Sequence, residues 1–234
     1  MKYNIRKKRG NWNFGKNVPK NFVNHITTSV PEYDLGHDII LKLSDYFLKD
    51  DSNFYDIGCS TGNLIEKLYK FSNKKINLIG LDSEKHMVEF ARKTLKKKGI
   101  KNSKIIHSNI SKQNLKKSDL IVSYYTIQFT QPKYRQDIIN KIYKSLNWGG
   151  AFIMFEKVRA PDARFQDILN SLYLDFKEEN GFTNHEIIEK QKSLRGVLEP
   201  FSTFGNTGLL KRAGFKDISI VFKHICFEGY LCIK

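Results

Sequence analysis

The chain has 234 residues, of which 40 are lysine or arginine and 24 are aspartate or glutamate, so its formal net charge is +16. Hydrophobic residues make up 40% of the chain, which is enough to bury a full core and excludes a disordered basic tail. No run of about 18 apolar residues occurs, and the basic first ten residues lack the apolar stretch of a signal peptide. We therefore expect a cytoplasmic protein that contacts no membrane.

The cysteines and the basic charge narrow the possible partners. Cys59, Cys226 and Cys232 are too few and too scattered for a disulfide framework or a four-ligand zinc site, so we expect no bound metal. The charge favours polyanions such as tRNA or DNA. However, AT-rich coding also produces many Lys, Asn and Ile residues, and cations in the densest basic run, 93–104, also complement the end of a predicted helix. We expect a small-molecule partner rather than a nucleic acid, with tRNA left open.

Predicted strands and helices alternate along most of the chain. In order they are helix 37–48, strand 53–57, helix 63–71, strand 76–81, helix 83–97, strands 105–107 and 120–124, helix 134–146, a turn at 148–150 and strand 151–156. This spacing predicts a parallel, doubly wound sheet of the α/β class. Two successive helices, 162–179 and 183–194, then predict a cap. Helix 204–212 and a strand pair, 218–223 and 226–233, end the chain, with one strand antiparallel.

A glycine-containing turn follows the first predicted strand, in the run Asp56-Ile-Gly58-Cys-Ser60-Thr-Gly62. Glycines there tighten the turn and let the backbone approach a ligand without a Cβ in the way. The run does not match the G-x-G-x-x-G dinucleotide fingerprint, which needs glycine at positions 60 and 63. Asp82 ends the second strand, where an acid can accept hydrogen bonds from both ribose hydroxyls. The pattern favours a nucleoside site, and the alternative is an ordinary loop with a helix-capping aspartate.

The turn and its acid resemble the D-x-G-x-G-x-G motif of class I S-adenosylmethionine (SAM) methyltransferases, with Ser60 at the middle glycine. Longer stretches are similar to one branch, the carboxy-SAM synthases and their methyltransferase relatives. These stretches cover nearly the whole chain, at residues 29–33, 55–62, 126–129, 141–150, 155–157, 175–177, 180–183 and 212–215. The resemblance implies a Rossmann-like sheet of seven strands, mostly parallel with one antiparallel strand, plus a helical cap. It also implies a homodimer.

We expect four segments within this fold. Residues 1–50 form an N-terminal cap and first helix, and residues 51–158 form the SAM-binding core. A helical cap at 159–202 precedes a C-terminal helix and strand pair, 203–234, which completes the core. In the N-terminal segment, Trp12, Phe14 and Phe22 are placed to close over a cleft.

The resemblance also assigns roles to residues of the cofactor site. Asp82, with Ser83 beside it, would hold the ribose, and Asn109 would contact adenine where the family usually has aspartate. Tyr124 would lie beside the amino-acid part of the cofactor. The full predicted set is Tyr33, Asp56, Gly58, Ser60, Gly62, Asp82, Ser83, Asn109, Ile110 and Tyr124.

The cap departs from the pattern of carboxy-SAM synthases, whose arginine on the second cap helix binds the extra carboxylate. An ungapped alignment places Gln191 at that arginine, and a neutral amide cannot match the charge-assisted pair of a guanidinium. Arg195 lies one turn along the same helix face and could replace it. Gln191, Arg195 and Tyr125 form the predicted substrate pocket. The loss favours ordinary SAM over carboxy-SAM as the cofactor.

No catalytic residue is identified by spacing. The candidates that border the predicted cleft are Tyr124, Glu156, Arg135 and His185. For Glu156 the alternative is a surface ion pair with Lys157, and we expect His107 to be a core residue. Methyl transfer often needs only in-line placement of the acceptor and a modest base, so a catalytic triad is not required.

These patterns favour a SAM-dependent methyltransferase with an unidentified acceptor. One alternative is a carboxy-SAM synthase, which uses SAM and prephenate for the modification of wobble uridine in tRNA. An alternative of another class is a basic nucleic-acid-binding module with a vestigial SAM site. The intact glycine turn and Asp82 argue against this last alternative.

Overall fold

The computed structural model describes residues 19–234. Helices cover both faces of a central seven-stranded sheet. The strands are β1 (Asn53–Ile57), β2 (Asn77–Asp82), β3 (Ser103–His107), β4 (Ser118–Tyr124), β5 (Leu146–Lys157), β6 (Asp217–His224) and β7 (Phe227–Ile233). The α-helices are α1 (Phe22–Ser29), α2 (Tyr33–Phe47), α3 (Asn63–Phe71), α4 (Lys85–Lys97), α5 (Pro132–Ser145), α6 (Ala163–Glu179), α7 (Asn184–Ser193) and α8 (Thr203–Ala213).

The strand order is β3-β2-β1-β4-β5-β7-β6. Strands β1 to β5 pair with one another in parallel, and β7 is antiparallel to both β5 and β6. The predicted Rossmann-like sheet with one antiparallel strand is therefore confirmed. The order reverses between β1 and β4, and ligands of open α/β sheets bind outside the carboxyl ends of the strands at such a point.

The predicted elements are present, and some of their ends differ. β1 and α3 begin and end at the predicted residues, whereas α2 begins at Tyr33 instead of His37. The turn predicted at 148–150 is wrong, because β5 already begins at Leu146. There the amide of Gly149 donates to the carbonyl of Lys234 at 2.8 Å. This bond continues the pairing of β5 with β7 beyond Ile233.

Alternation along the strands builds a core on each side of the sheet. Leu120 and Val122 of β4 pack into one cluster with α2, α3 and α4, while Ile121 packs into the other with α5 and α8. Successive side chains of a strand point to opposite faces, so both faces of β4 are buried. The prediction that His107 is a core residue is wrong. His107 is exposed at the end of β3, and its Nε2 lies 3.0 Å from the carbonyl oxygen of Ser83.

The cap consists of α6 and α7, which follow β5 as predicted. The side chain of Asp162 caps α6, and Thr183 and Glu186 form a capping box at the start of α7. The Tyr173 hydroxyl donates to the carbonyl of Ser29 at 2.8 Å and so joins α6 to α1. None of the helices within residues 19–234 is long and apolar enough to cross a membrane.

Packing between β5 and β7 allows a steric test. Gly229 lies in β7 opposite Phe155, and a Cβ added there would lie 2.5 Å from Cζ of the Phe155 ring. The ring is fully buried, so Gly229→Ala should lower the free energy of unfolding by about 1–3 kcal/mol, measured by urea denaturation. In a Phe155→Leu background the same substitution should cost less. An equal loss in both backgrounds would contradict the steric explanation.

Candidate functional site

A cavity of about 550 Å³ lies at the carboxyl ends of β1, β2 and β4. Its lining comes from the turn after β1, the loop after β3, the ends of β4 and β5, and helices α1, α2, α6 and α7. The cavity therefore joins the sheet edge to the cap. Phe22 lines it as predicted, whereas Trp12 and Phe14 lie outside the described residues.

The turn after β1 has an unusual backbone that brings it close to the neighbouring strands. Gly58, Ser60 and Gly62 all have positive φ angles, of 77°, 47° and 79°. The amide of Gly58 donates to the carbonyl of Leu81 at 2.7 Å, and a Cβ on Gly58 would lie 2.1 Å from Oγ1 of Thr126. Only glycine fits at position 58, while Ser60 adopts a conformation that glycine favours.

Two buried acids end neighbouring strands at this turn. The Asp82 carboxylate accepts hydrogen bonds from the amides of Ser60 and Glu84, both at 2.8 Å. Burial nevertheless raises the pKa of Asp82, and burial together with the charge of Asp82 raises the pKa of Asp56 to about 8. Both acids line the cavity, so this end of it has an affinity for positive charge and for hydrogen-bond donors.

An aromatic wall stands beside the acids. The hydroxyl of Tyr124 donates to the carbonyl of Tyr33 at 2.6 Å, and the Tyr124 and Tyr125 rings lie 4.6 Å apart. His37, which sequence reasoning missed, has its ring 4.8 Å from Tyr33 and 4.5 Å from Tyr124. Burial and the charge of Lys67 lower the pKa of His37 to about 3, so its imidazole is neutral at neutral pH. In the sequence His37 only begins a predicted helix and belongs to no motif, so nothing there indicated that it lines the site.

The loop after β3 completes the predicted cofactor region. Asn109 and Ile110 of this loop line the cavity, as does Ser83, which follows β2. The side-chain oxygen of Asn109 accepts from the amide and the hydroxyl of Ser111, both at 2.9 Å. The loop is thus fixed by its own side chains. Of the ten predicted cofactor residues, Gly62 alone does not line the cavity; it caps α3 instead.

Two of the catalytic candidates, Glu156 and Arg135, form hydrogen bonds to backbone groups and do not line the cavity. Glu156 is buried and accepts from the amide of Ile127 at 3.0 Å. Arg135 donates to the carbonyls of Thr130 at 2.9 Å and Gln128 at 3.0 Å. Burial raises the pKa of Glu156 to about 8, although the nearby charge of Arg135 opposes this shift. Glu156 forms no surface ion pair with Lys157, because alternation along β5 turns the two side chains to opposite faces.

The inward face of α7 differs from the predicted one. Lys190 and Leu194 line the cavity, whereas His185, Gln191 and Arg195 are exposed outside it. Successive helical residues are about 100° apart, so the face that carries Lys190 and Leu194 turns Gln191 and Arg195 away. Of the predicted substrate pocket, only Tyr125 lines the cavity of this chain.

Three lysines gather where the cap meets the end of β5. Lys157 and Lys190 line the cavity, and Lys177 is buried behind Tyr173. Burial and mutual repulsion lower the pKa of Lys190 to about 7, and burial and Lys157 lower the pKa of Lys177 to about 8. Sequence reasoning did not group these lysines, since they come from three separate elements.

The described residues offer no metal centre. No group of three or more His, Cys, Asp or Glu side chains within 19–234 is placed to hold a metal ion.

Comparison with known proteins gives a consistent result. A family model described as a methyltransferase domain matches residues 48–201. The chain is 37% identical over 224 residues to carboxy-S-adenosyl-L-methionine synthase of Staphylococcus epidermidis, covering 95% of this chain and 97% of that protein. It is 34% identical over 221 residues to the protein of the same name from Campylobacter lari, covering 94% of each.

Solved structures share the fold at low sequence identity. A SAM-dependent methyltransferase from Aquifex aeolicus is 16% identical with a TM-score of 0.60, covering 92% of this chain and 97% of that one. Human N-acetylserotonin methyltransferase in complex with SAM is 15% identical with a TM-score of 0.62, covering 94% of this chain and 56% of that one. At this identity the likeness concerns the fold.

Opposite substitutions in the turn after β1 should have opposite effects on stability. Ser60→Gly removes a Cβ from a left-handed residue and should raise the free energy of unfolding by about 0.5–1 kcal/mol. Gly58→Ala adds a Cβ against Thr126 and should lower it by about 2 kcal/mol. Urea denaturation measures both. A less stable Ser60→Gly variant would show that the hydroxyl of Ser60, 3.3 Å from the carbonyl of Gly58, outweighs the strain.

Proposed function

Because this chain is a class I SAM-dependent methyltransferase of the branch that contains the carboxy-SAM synthases, we propose that it binds SAM in the cavity and transfers the methyl group to a small acceptor beneath the cap. The observation that carries the proposal is the pair of acids, Asp56 and Asp82, beside a glycine turn at the switch point of the sheet. This arrangement suits a nucleoside that also carries a positive charge.

Asp82 is the proposed ribose ligand. Each of its carboxylate oxygens accepts one backbone hydrogen bond, from Ser60 or from Glu84. An ionised carboxylate has about four acceptor positions, so two remain for the two ribose hydroxyls. Ser83 would lie beside the ribose, Asn109 and Ile110 would contact the base, and Tyr33 and Tyr124 would contact the amino-acid part. The open backbone of Gly58 would pack beneath that part.

The residues of the cavity act mainly by placing the reactants. SAM, when bound, supplies a methyl group that is activated by its positively charged sulfur. Burial raises the pKa of Tyr124 and of Tyr125 well above the ordinary range, so both phenols stay protonated and can only orient a neighbouring group. The cap contributes Tyr173 of α6 and Lys190 of α7 to the lining of the cavity. In-line placement of acceptor and methyl group then provides most of the rate enhancement.

The ribose assignment has a direct test. Replacing Asp82 with Ala removes the acceptor of both ribose hydroxyls, so the affinity for SAM should fall about 5- to 150-fold, which corresponds to about 1–3 kcal/mol. Isothermal titration calorimetry measures the affinity of each variant for SAM. Asp217→Ala, an exposed acid at the far edge of the sheet, is the matched control and should bind SAM as the unaltered chain does. Equal affinities for the two variants would refute the site.

Formation of carboxy-SAM is the second candidate function. Two observations favour it: relatives of that name match nearly the whole chain at 34–37% identity, and Lys157 and Lys190 bring cations into the cavity. The exposed Gln191 does not decide the choice of cofactor in this cavity, since Lys190 faces inward instead. Carboxy-SAM would then be formed with prephenate as the second substrate.

The two functions give different products. With SAM labelled in its methyl group and a cell extract, methyl transfer should move label to a small molecule, detected by chromatography. In parallel, the protein is incubated with SAM and prephenate, and the products are identified from their masses by mass spectrometry. Carboxy-SAM in this second reaction, with no labelled acceptor in the first, would favour the synthase and contradict methyl transfer.

The partners and location are further parts of the proposal. We propose a small acceptor because the cavity, of about 550 Å³, is lined in part by aromatic residues such as Tyr33, Tyr124 and Tyr125. If tRNA were the acceptor, log affinity would fall linearly and steeply with log salt concentration. Cys59, Cys226 and Cys232 are buried free thiols, which supports a cytoplasmic, reducing location. The homodimer is supported by the resemblance alone.

A further inference from the structure

The segment between β3 and β4, residues 108–117, contains no strand or helix. We call it the base loop, because it carries Asn109 and Ile110, the proposed contacts of the base. Together with Ser108 and Ser111 these residues line the cavity. Among residues 19–234, no backbone amide donates to the carbonyls of Ile110, Ser111 or Gln113. These three carbonyls therefore depend on side chains or on water for their hydrogen bonds.

Lys141 on α5 supplies the missing donors. Its ammonium nitrogen donates to the carbonyl oxygens of Ile110 at 2.9 Å, Ser111 at 2.7 Å and Gln113 at 3.1 Å. An ammonium group has three N–H donors, and here all three end on the base loop. Hydrogen bonds from a charged donor are stronger than those between neutral groups. The middle of the loop is thus wrapped around one cation.

The charge of Lys141 is not used elsewhere. Asp137 lies four residues earlier on the same helix, a spacing that commonly gives an ion pair. Within residues 19–234, however, Lys141 forms no ion pair with an acid. Lys141 does not line the cavity either. It can therefore influence a ligand in the cavity only through the base loop.

Helix α5 gives Lys141 a rigid support. Ile138, Ile139 and Ile142 of this helix are buried in the core on one side of the sheet. The backbone of Lys141 is consequently fixed by the residues on either side of it. Its side chain transfers that rigidity from the core to the loop.

Other contacts hold the loop only at its ends or within itself. The amide of Ser108 donates to the carbonyl of Asp82 at 2.9 Å, and the amide of Lys116 donates to the hydroxyl of Tyr55 at 3.2 Å. The bonds from Ser111 to the side chain of Asn109 shape the turn, but both partners belong to the loop. Lys141 is what ties the middle of the loop to a helix.

We propose that Lys141 is a positioning residue for the nucleoside part of SAM, because it holds the base loop where Asn109 and Ile110 meet the base. This inference rests on the proposed function, which assigns the base to this loop. Without the ammonium group, three carbonyl oxygens would converge with no cation between them. Their dipoles would repel one another, and the loop would open toward water.

The first test measures the loop without any ligand. Lys141→Met keeps the length of the side chain and removes its donors. In hydrogen exchange followed by mass spectrometry, this variant should exchange faster in the peptide that spans 108–117 and normally in β1 and β4. The matched control is Lys144→Met, an exposed lysine on the same helix, which should exchange as the unaltered chain does. Unchanged exchange of the base loop in Lys141→Met, or faster exchange throughout the chain, would overturn the proposal.

The second test measures SAM binding by isothermal titration calorimetry. Lys141→Met should bind SAM about tenfold more weakly, while Lys144→Met should bind it normally. If the control loses as much affinity, the effect is one of overall charge and the proposal fails. A lower melting temperature of Lys141→Met with unchanged SAM affinity would assign Lys141 a purely structural role and also refute the proposal.

A double-mutant cycle asks whether Lys141 acts through the loop. Asn109→Ala removes the proposed base contact, so the double variant with Lys141→Met should lose less SAM affinity than the product of the two single losses. Independent losses would contradict a role through Asn109. If the unaltered chain does not bind SAM at all, the proposed function is wrong, and the exchange measurement still decides whether Lys141 holds the loop.

Discussion

The Asp82 carboxylate is the contact on which the site depends. By accepting from the amides of Ser60 and Glu84 at 2.8 Å each, it fastens the turn after β1 to the end of β2. The turn is thereby held with positive φ angles, and α3 starts directly from it. The same arrangement buries Asp56 beside a second acid and raises its pKa to about 8. The two neighbouring acids repel each other when both are ionised, and a cationic ligand would relieve this repulsion.

The cap gathers like charges as the sheet edge does, but the charges there are positive instead of negative. Acids collect at the sheet edge and lysines collect where α6 and α7 meet β5, so one cavity has two ends of opposite charge. Like charges gathered at either end cost stability, as functional sites often do. The hydrogen bond from Tyr173 to the carbonyl of Ser29 joins the cap to α1. Proposed SAM, whose sulfur is positively charged, would lie at the acidic end, with the cap over the opposite end of the cavity.

The sequence predicted the sheet well and the cap poorly, for physical reasons. Strands buried on both faces give continuous apolar runs between turn residues, so β1 and its turn could be located to the residue. Helix α7 has a weaker pattern. Ile187 and Ile188 are adjacent and equally apolar, yet one is 3% exposed and the other 49%. Nothing in that pair decides which face turns inward, and a rotation of about 100° exchanges Lys190 for Gln191 at the cavity.

Charged residues beside a cleft can act on backbone instead of on a ligand. Segment 126–130, which contains a short 3-10 helix at Ile127–Phe129, lacks strand or α-helix partners for several of its backbone groups. Arg135 donates to the carbonyls of Gln128 and Thr130, and Glu156 accepts from the amide of Ile127. This fixes Thr126, the residue that packs against Gly58. The geometry of the glycine turn therefore depends on two buried side chains, Arg135 and Glu156, on the other side of that segment. Substituting either side chain should disturb the site through Thr126 without any contact to a reactant.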